Sequence, residues 1–292
     1  IPKRDWSSDV CSSDLDIIAR LVSPHLTEEF GQQFVVDNRS GAGGTIGSEI
    51  AARATPDGYT LAVIPSSYAG AAALYPLSFD PVKGIAPISM LGMGSFIFGV
   101  HPSVKVGNFK EFIDLVKARP GALNFASPGT GSTPHLASEL LKQMAGVSFV
   151  HVPYKGDTPA LTDLLAGQMH IMIASGPVFL PHIKAGKVRP IAVTATKRYF
   201  ILPELPSIAE TYPGYHATGW NGMMAPAGTP REIIHRINRS IAAFLKRPDI
   251  QERLRNDGRD AIPTTPEETA QMLASEIAQW VRVVKVANIK LN

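Results

Sequence analysis

The chain has 292 residues, of which 45% are hydrophobic, and 28 basic against 25 acidic residues leave a net charge of +3. The basic residues are scattered, which argues against a nucleic-acid partner, and the single cysteine, Cys11, excludes an internal disulfide. No apolar stretch reaches the roughly 18 residues that cross a bilayer, and no signal peptide is recognised. We therefore expect a soluble chain, or a mature form whose export signal has been removed, large enough for two α/β domains.

The first two thirds of the chain alternate helical and extended patterns. Apolar residues at helical spacing predict a helix over 16–30, and Phe34-Val35-Val36 predicts a short buried strand. Further strands are predicted over 59–64, 96–100, 124–127, 149–152, 170–174 and 189–194. This alternation is typical of mainly parallel sheets flanked by helices.

After Gly214 the pattern changes to one extended segment, 216–225, followed by helices alone. Two long terminal helices need a sheet to cover, and we expect this to be the N-terminal one. The chain would then cross into a second domain near Val100 and return near Met224. The predicted domains are 16–99 with 225–292, and 100–224; a double crossing creates a cleft with a two-strand hinge.

Residues 1–15 do not fit this organisation. They contain a near-tandem Ser-Ser-Asp unit, little apolar material and the only cysteine. This profile is typical of a low-complexity or foreign segment, so the segment is excluded from the fold prediction.

A loop of small and hydroxyl residues, Ser127 to His135, joins a predicted strand to a predicted helix. Free backbone N–H groups and the positive end of a helix dipole suit a carboxylate or phosphate there. An ordinary strand-to-helix turn has the same composition, so both readings remain open at this stage. Tyr154, between the next strand and helix, is a further candidate for anion contact.

Motifs for other chemistries fail. A dinucleotide fingerprint would need glycine at position 46, which is Ile46, and neither the hydrolase motif G-x-S-x-G nor a phosphate-binding loop with Gly-Lys-Ser/Thr occurs. The eight histidines are dispersed, so we expect no metal and no cofactor. Ser132 and His135, three residues apart, leave a serine-dependent hydrolase or transferase of small acids as the alternative function.

Taken together, the motifs resemble the substrate-binding proteins of tripartite tricarboxylate transporters, the Bug receptors. The resemblance covers about residues 16 to 292. It rests on the segments 36–47, 56–61, 124–127, 131–136, 151–156, 181–187, 214–215, 225–230 and 266–268.

This resemblance implies a periplasmic receptor with two α/β domains in the type II binding-protein fold. Such a receptor closes on a small organic acid and delivers it to membrane permease subunits; we expect a monomer without catalytic activity. Backbone amides and hydroxyls from one loop of each domain would hold the carboxylate. The matching positions are Ser66, Ser67, Ser127, Thr130, Gly131, Ser132, Thr133, His135 and Ser175.

One segment departs from the family pattern. Members begin with a buried strand and a Pro-Phe-x-x-Gly-Gly-type loop that supplies amides to the ligand, and residues 5–15 stand in its place. We interpret the segment as an artefact spliced onto a genuine receptor. If the protein carries it, a damaged first strand and weak or absent binding follow, and a family-like strand and loop should restore both.

Three functions are compatible with the sequence. The first is a receptor for a small mono-, di- or tricarboxylate, an amino acid or an aromatic acid. The second is the hydrolase or transferase, which requires turnover of an ester that is lost on Ser132→Ala. The third is a protein that binds a macromolecular partner, which predicts no thermal shift with any carboxylate.

Overall fold

The structure is a computed structural model and describes residues 14–39 and 45–289. The helices described are α1 Asp14–Phe30, α2 Thr45–Ala52, α3 Ser67–Leu74, α4 Phe109–Ala118, α5 Thr133–Ala145, α6 Asp157–Leu165, α7 Gly176–Lys184, α8 Ile208–Thr211, α9 Arg231–Leu245, α10 Pro248–Asn256 and α11 Pro266–Ala287. The strands described are β1 Ala62–Pro65, β2 Ile85–Val100, β3 Asn124–Ser127, β4 Val150–Pro153, β5 Ile171–Ser175, β6 Arg189–Val193 and β7 Thr218–Pro226. No helix in this part of the chain is long and apolar enough to span a membrane.

Two predicted features lie outside the described residues. One is the anomalous N-terminal segment up to residue 13, and the other is the glycine-rich stretch Gly41 to Gly44. Asp14 and Leu15, the end of the anomalous segment, are the first residues of α1.

The long strand β2 joins two sheets. Its first part, Ile85 to Ser95, pairs with β7, and β7 pairs with β1. From Phe96 onward β2 lies between β5 and β6 instead, and β5 continues through β3 to β4. The chain returns to the first of these sheets at Ala217, whose N–H donates to the carbonyl of Thr194, the residue after β6. We call the sheet β1-β7-β2 and its helices the first lobe, and the sheet of β3 to β6 with the end of β2 the second lobe.

The prediction of mainly parallel sheets is wrong for the first lobe as described and only partly right for the second. Both strand pairs of the first sheet are antiparallel. In the second sheet β3 is parallel to β4 and β5, whereas β2 is antiparallel to β5 and β6. The reason is that β2 leaves the first lobe and β7 re-enters it, so these neighbouring strands run in opposite directions.

The terminal helices cover the first sheet, as predicted. Helix α9 packs with α1 on one face, in a core that contains Ile88, Met223, Ile237 and Ile241. On the other face Trp280 and Leu273 of α11 join Tyr68 of α3 and Trp220 of β7. This second core extends into the other lobe, because Phe125 of β3 and Leu136 of α5 belong to the same cluster. The two lobes therefore share buried apolar surface.

The predicted strand over Phe34 to Val36 is absent. Residues 33–39 carry no strand assignment, and Val35 is 77% exposed. An apolar run becomes a strand only where a neighbouring strand accepts and donates its backbone hydrogen bonds. Here the Phe34 N–H donates to the Thr27 hydroxyl of α1 rather than to a neighbouring strand. The domain ranges 16–99 with 225–292 and 100–224 stay a prediction; β2 changes partners slightly before them, between Ser95 and Phe96.

Candidate functional site

Three predicted site residues lie at the carboxyl ends of neighbouring strands in the second lobe. Ser127 ends β3, Tyr154 follows β4 and Ser175 ends β5. Because β3 is parallel to both β4 and β5, these ends meet at one edge of the sheet. Ligands of open α/β sheets bind outside this edge.

The loop between β3 and α5 has a defined internal geometry. The Ser132 hydroxyl accepts the N–H of His135 and donates to the Gly129 carbonyl at 2.7 Å, which caps α5. Gly131 has φ +82°, a conformation that suits glycine. Pro134 in the first turn has no N–H to satisfy. The sequence therefore specifies a helix start whose positive dipole end faces the loop.

The first lobe supplies a second helix start that touches this loop. Ser66 ends the turn after β1, and its hydroxyl lies 3.1 Å from the Thr133 hydroxyl. Its N–H donates to the Trp220 carbonyl of β7 at 2.9 Å. One turn into α3, Gly70 lies so close to the Gly131 carbonyl that a Cβ there would be 2.6 Å from its oxygen. The structure thus brings together the predicted loops of the two lobes.

The hydroxyls around this contact differ in their partners. Ser66 and Thr133 are buried and bonded to each other, and Ser67 also has a partner. By contrast, the hydroxyls of Thr130 and Ser175 make no hydrogen bond with residues 14–39 or 45–289. They are the predicted site hydroxyls best able to donate to a ligand without breaking an internal bond.

Ser127 and His135 face inward rather than toward open solvent. Ser127 is fully buried, and its hydroxyl lies 2.6 Å from His151 Nε2. His135 is 3% exposed, and its Nδ1 accepts the Gly131 N–H at 3.0 Å. The ring of His135, predicted from the resemblance to be a site residue, packs against the ring of His151 beneath the loop, with 3.8 Å between the ring centroids.

His151 was missed as a site residue by the sequence analysis. It lies in the segment 151–156 that carries the resemblance, but it is not among the predicted site residues. The β3–β4 register pairs His151 with Phe125, two residues before Ser127, so an alignment of the two predicted strands would have placed it next to the loop.

The Tyr154 side chain is committed to a neighbour. Its hydroxyl donates to Asp163 Oδ2 at 2.6 Å, while its backbone N–H donates to the Ser127 carbonyl. Burial and the Asp163 carboxylate raise the pKa of Tyr154 to about 12. Tyr154 thus fixes the edge of the loop through its backbone, and direct ligand contact by its hydroxyl would require release from Asp163.

The Ser132–His135 pair does not have the geometry of a nucleophile and its base. The Ser132 hydroxyl bonds the backbone N–H of His135, not its ring, and Nδ1 of that ring is taken by Gly131. Nucleophilic catalysis needs a hydrogen bond between hydroxyl and imidazole.

We expect Ser132→Ala to behave as the loss of a helix cap. The free energy of unfolding should fall by about 1 kcal/mol, measured by urea denaturation, because the His135 N–H loses its acceptor. Ser148→Ala at an exposed position is the matched control. An ester hydrolysed by the wild type but not by Ser132→Ala would contradict this reading.

A separate cavity of about 540 Å³ lies between α11 and the start of β7. Trp220, His216, Glu268 and Glu276 are among its lining residues, and none of the predicted site residues is. The lining includes no lysine or arginine. Without a basic side chain and with Glu268 in its wall, it is a poor site for a carboxylate, so the volume alone does not relocate the candidate site.

No metal centre is suggested by the part of the chain that the structure describes. Residues 14–39 and 45–289 contain no group of three His, Cys, Asp or Glu side chains placed to hold an ion. The predicted site residues are uncharged hydroxyl, glycine and aromatic residues with a buried histidine, a set suited to hydrogen bonding rather than to coordination of a cation.

Two α/β lobes joined by two crossings, with a helix start of each lobe meeting in between, define a two-lobed solute-binding protein. The sequence model described as tripartite tricarboxylate transporter family receptor (TctC) matches residues 18–289. The chain belongs to this family.

Individual relatives agree with the family assignment. Protein BugT of Bordetella pertussis is 35% identical over 281 residues, which are 95% of this chain and 86% of BugT. Rpa4515 of R. palustris, solved with adipate, is 35% identical with a TM-score of 0.84, covering 98% of this chain and 99% of that chain. MatC from Rhodopseudomonas palustris, solved with bound malate, is 31% identical with a TM-score of 0.78, covering 92% and 94%.

These similarities confirm three of the predictions. The resemblance to the Bug receptors is confirmed, and so is the two-domain type II fold, apart from the strand directions corrected above. The chain is a solute-binding receptor and not an enzyme.

Proposed function

We propose that this receptor works outside the cytoplasm, in the periplasm, where it binds a small organic carboxylate between its two lobes and delivers it to the permease subunits of a tripartite tricarboxylate-type transporter. The observation that carries the proposal is the contact between two helix starts from different lobes. At this contact the hydroxyl oxygens of Ser66 and Thr133 are 3.1 Å apart. Helix starts attract anions through their N–H groups and dipoles. The adipate and malate bound to two similar receptors support a dicarboxylate.

Neutral donors would hold the ligand. The proposed contacts come from Ser66 and Ser67 in the first lobe and from the loop 127–133 with Ser175 in the second. None of these side chains carries a charge, so the ligand makes no ion pair with them. Each hydrogen bond to a carboxylate is worth more than a neutral one, yet several together remain reversible, as delivery to a permease requires.

Closure of the lobes would follow from the ligand's contacts with both. A ligand shifts an equilibrium between open and closed states only by its difference in affinity for the two. A carboxylate that touches both helix starts makes its full set of contacts only in the closed state, so it favours closure.

A thermal-shift screen tests the proposal. Adipate, malate and other carboxylates are added to the whole chain, and a ligand that binds only the folded state raises the melting temperature. Hexane-1,6-diamine, which has the chain length of adipate with the opposite charge, is the control. We expect a shift with at least one carboxylate and none with the diamine; no shift with any carboxylate would overturn the proposal and favour a macromolecular partner.

Two variants locate the site once a carboxylate is found. Thr130→Ala and Ser175→Ala should each weaken its binding by about fivefold to tenfold. Neither should lower the melting temperature of the free protein, because neither hydroxyl makes a hydrogen bond within residues 14–39 and 45–289. Ser148→Ala is the matched surface control. Equal affinity in all three variants would place the ligand elsewhere.

A further inference from the structure

The rings of His135 and His151 form a stacked pair beneath the ligand loop. Their centroids are 3.8 Å apart and their planes differ by 10°. His135 belongs to α5 and His151 to β4, so the pair ties the helix that follows the loop to the strand beside it.

Each ring holds a different part of the loop. His135 Nδ1 accepts the Gly131 N–H at 3.0 Å, so this nitrogen carries no proton and the proton of the neutral ring lies on Nε2. His151 Nε2 lies 2.6 Å from the Ser127 hydroxyl, which contacts both the carbonyl and the N–H of Gly129 at 3.2 Å. The two imidazoles therefore fix the backbone of the loop at Gly129 and Gly131.

The pair is held in its neutral form. Burial lowers the pKa of His135 to about 3 and that of His151 to about 4, and each ring also feels the positive charge of Lys142. Two groups of α5 face His135, namely Glu139, 3.9 Å from Nε2, and Lys142, which is bonded to Glu139 at 2.7 Å. His151 comes from β4, and β3 contributes the uncharged Ser127 beside it. From the first lobe the uncharged Ser66, just before α3, contacts Thr133, and Gly70 of α3 lies against Gly131. Burial is the largest cause of both lowered pKa values.

We propose that His135 is a positioning residue for the carboxylate loop, stacked on His151, and that acidification releases the loop and with it the ligand. The proposal rests on the proposed function. Its physical basis is that a proton on Nδ1 of His135 converts the acceptor of the Gly131 N–H into a donor. It also places a cation against the stacked ring and near Lys142. In a released loop the imidazoles regain their ordinary pKa, so opening becomes easier as the pH falls.

Amide hydrogen exchange of residues 127–133 tests the positioning without any ligand. In the wild type, the protection factor of the Gly131 amide should fall about tenfold or more between about pH 7.5 and about pH 4.5. In His135→Asn, whose side-chain oxygen can accept the same N–H but does not titrate, it should fall clearly less than in the wild type, because His151 is then the one imidazole of the pair that still titrates. In His135→Leu it should already be low at neutral pH, and His182→Gln on α7 should behave as the wild type.

Binding of adipate, or of malate if adipate does not bind, gives the second measurement. Affinity at neutral pH should fall about tenfold in His135→Leu and be largely kept in His135→Asn. The ratio of wild-type to His135→Asn affinity at each pH removes the titration of the ligand itself, and this ratio should fall on acidification.

The outcomes separate this inference from the proposed function. A Gly131 amide whose protection follows the same pH course in wild type and His135→Asn overturns the inference, whatever binds. Failure of every carboxylate in the thermal-shift screen to bind, with the expected exchange pattern, overturns only the proposed function. Should the variants not fold, imidazole nitrogen NMR of the wild type decides: a proton on Nδ1 of His135 at neutral pH contradicts the proposal.

Discussion

Replacement of Gly70 by alanine is expected to force apart the helix starts of the two lobes. The new Cβ would lie 2.6 Å from the Gly131 carbonyl oxygen and 2.6 Å from Leu136 Cδ1, well inside van der Waals contact. Neither neighbour can turn away freely, since one is backbone and the other is a fully buried side chain. We expect the free energy of unfolding to fall by about 1–3 kcal/mol and the affinity for a carboxylate to fall about tenfold or more.

The higher helix propensity of alanine opposes the expected destabilisation, which makes the test more specific for the clash. An alanine in place of glycine within a helix stabilises it by up to about 1 kcal/mol, so destabilisation must come from the contact with the loop. Gly107→Ala, just before α4, is the control, because the three atoms nearest to its Cβ would all belong to the flexible Glu111 carboxylate, the closest at 3.3 Å. Urea denaturation and calorimetric titration with adipate measure both effects. A Gly70→Ala protein as stable as wild type with unchanged affinity would mean that the lobes do not meet at this point.

The second large effect concerns Glu276, a carboxylate that is 9% exposed in the core between α11 and β7. One of its oxygens accepts the indole N–H of Trp220, and the other accepts that of Trp280 at 3.1 Å. Burial raises the pKa of Glu276 to about 7, although both indoles favour the charged form. The folded protein therefore holds a proton on this group between about pH 4.5 and 7 that the unfolded chain has released.

The sign of the pH dependence follows from this raised pKa. The stability contributed by protonated Glu276 is fully present below the unfolded pKa of 4.5 and is lost as the pH rises through about 7. The loss amounts to about 3 kcal/mol. Glu276→Gln should abolish it, so the difference in unfolding free energy between variant and wild type should change by about that amount from pH 4.5 to 8.

The difference in unfolding free energy between variant and wild type must be used, because the histidine pair changes the stability with pH in the opposite direction. The pKa values of His135 and His151 are lowered, so their contribution is present above about pH 6.5 and is lost on acidification. In the wild type the two effects partly cancel, whereas subtraction of Glu276→Gln isolates the glutamate. Glu252→Gln, at an exposed position of α10, is the control. A difference that stays constant across this range would show that Glu276 does not titrate in the core.

Local signals explain why α5 and its loop could be predicted. Ser132 and Pro134 mark the start of the helix and Gly146, at φ +62°, marks its end, and each acts within a few residues of itself. The long strand β2 was foreseen only over its last five residues. Pro87, Gly92 and Gly94 interrupt the strand pattern of its first part. A side chain at position 94 would clash, because its Cβ would lie 2.6 Å from the Gly258 carbonyl oxygen. Such a partner is distant in sequence.

The site was predictable as a set of segments but not in the direction of its side chains. Spacing indicated that Ser127 and His135 belong to one loop, and the resemblance added Ser66 and Ser67. That the Ser127 hydroxyl faces a buried ring depends on the β3–β4 pairing, and the contact of Gly70 with Gly131 depends on how the lobes meet. Hydroxyl and glycine residues have no periodic pattern that reveals either.

The continuity of β2 also bears on how this protein unfolds. Sixteen residues form one strand that completes both sheets, and one apolar core draws side chains from both lobes. Unfolding of either lobe would remove a strand and part of the apolar core from the other lobe. We therefore expect neither lobe to stay folded by itself. The two lobes are expected to unfold as a single cooperative unit, although the proposed ligand site lies between them.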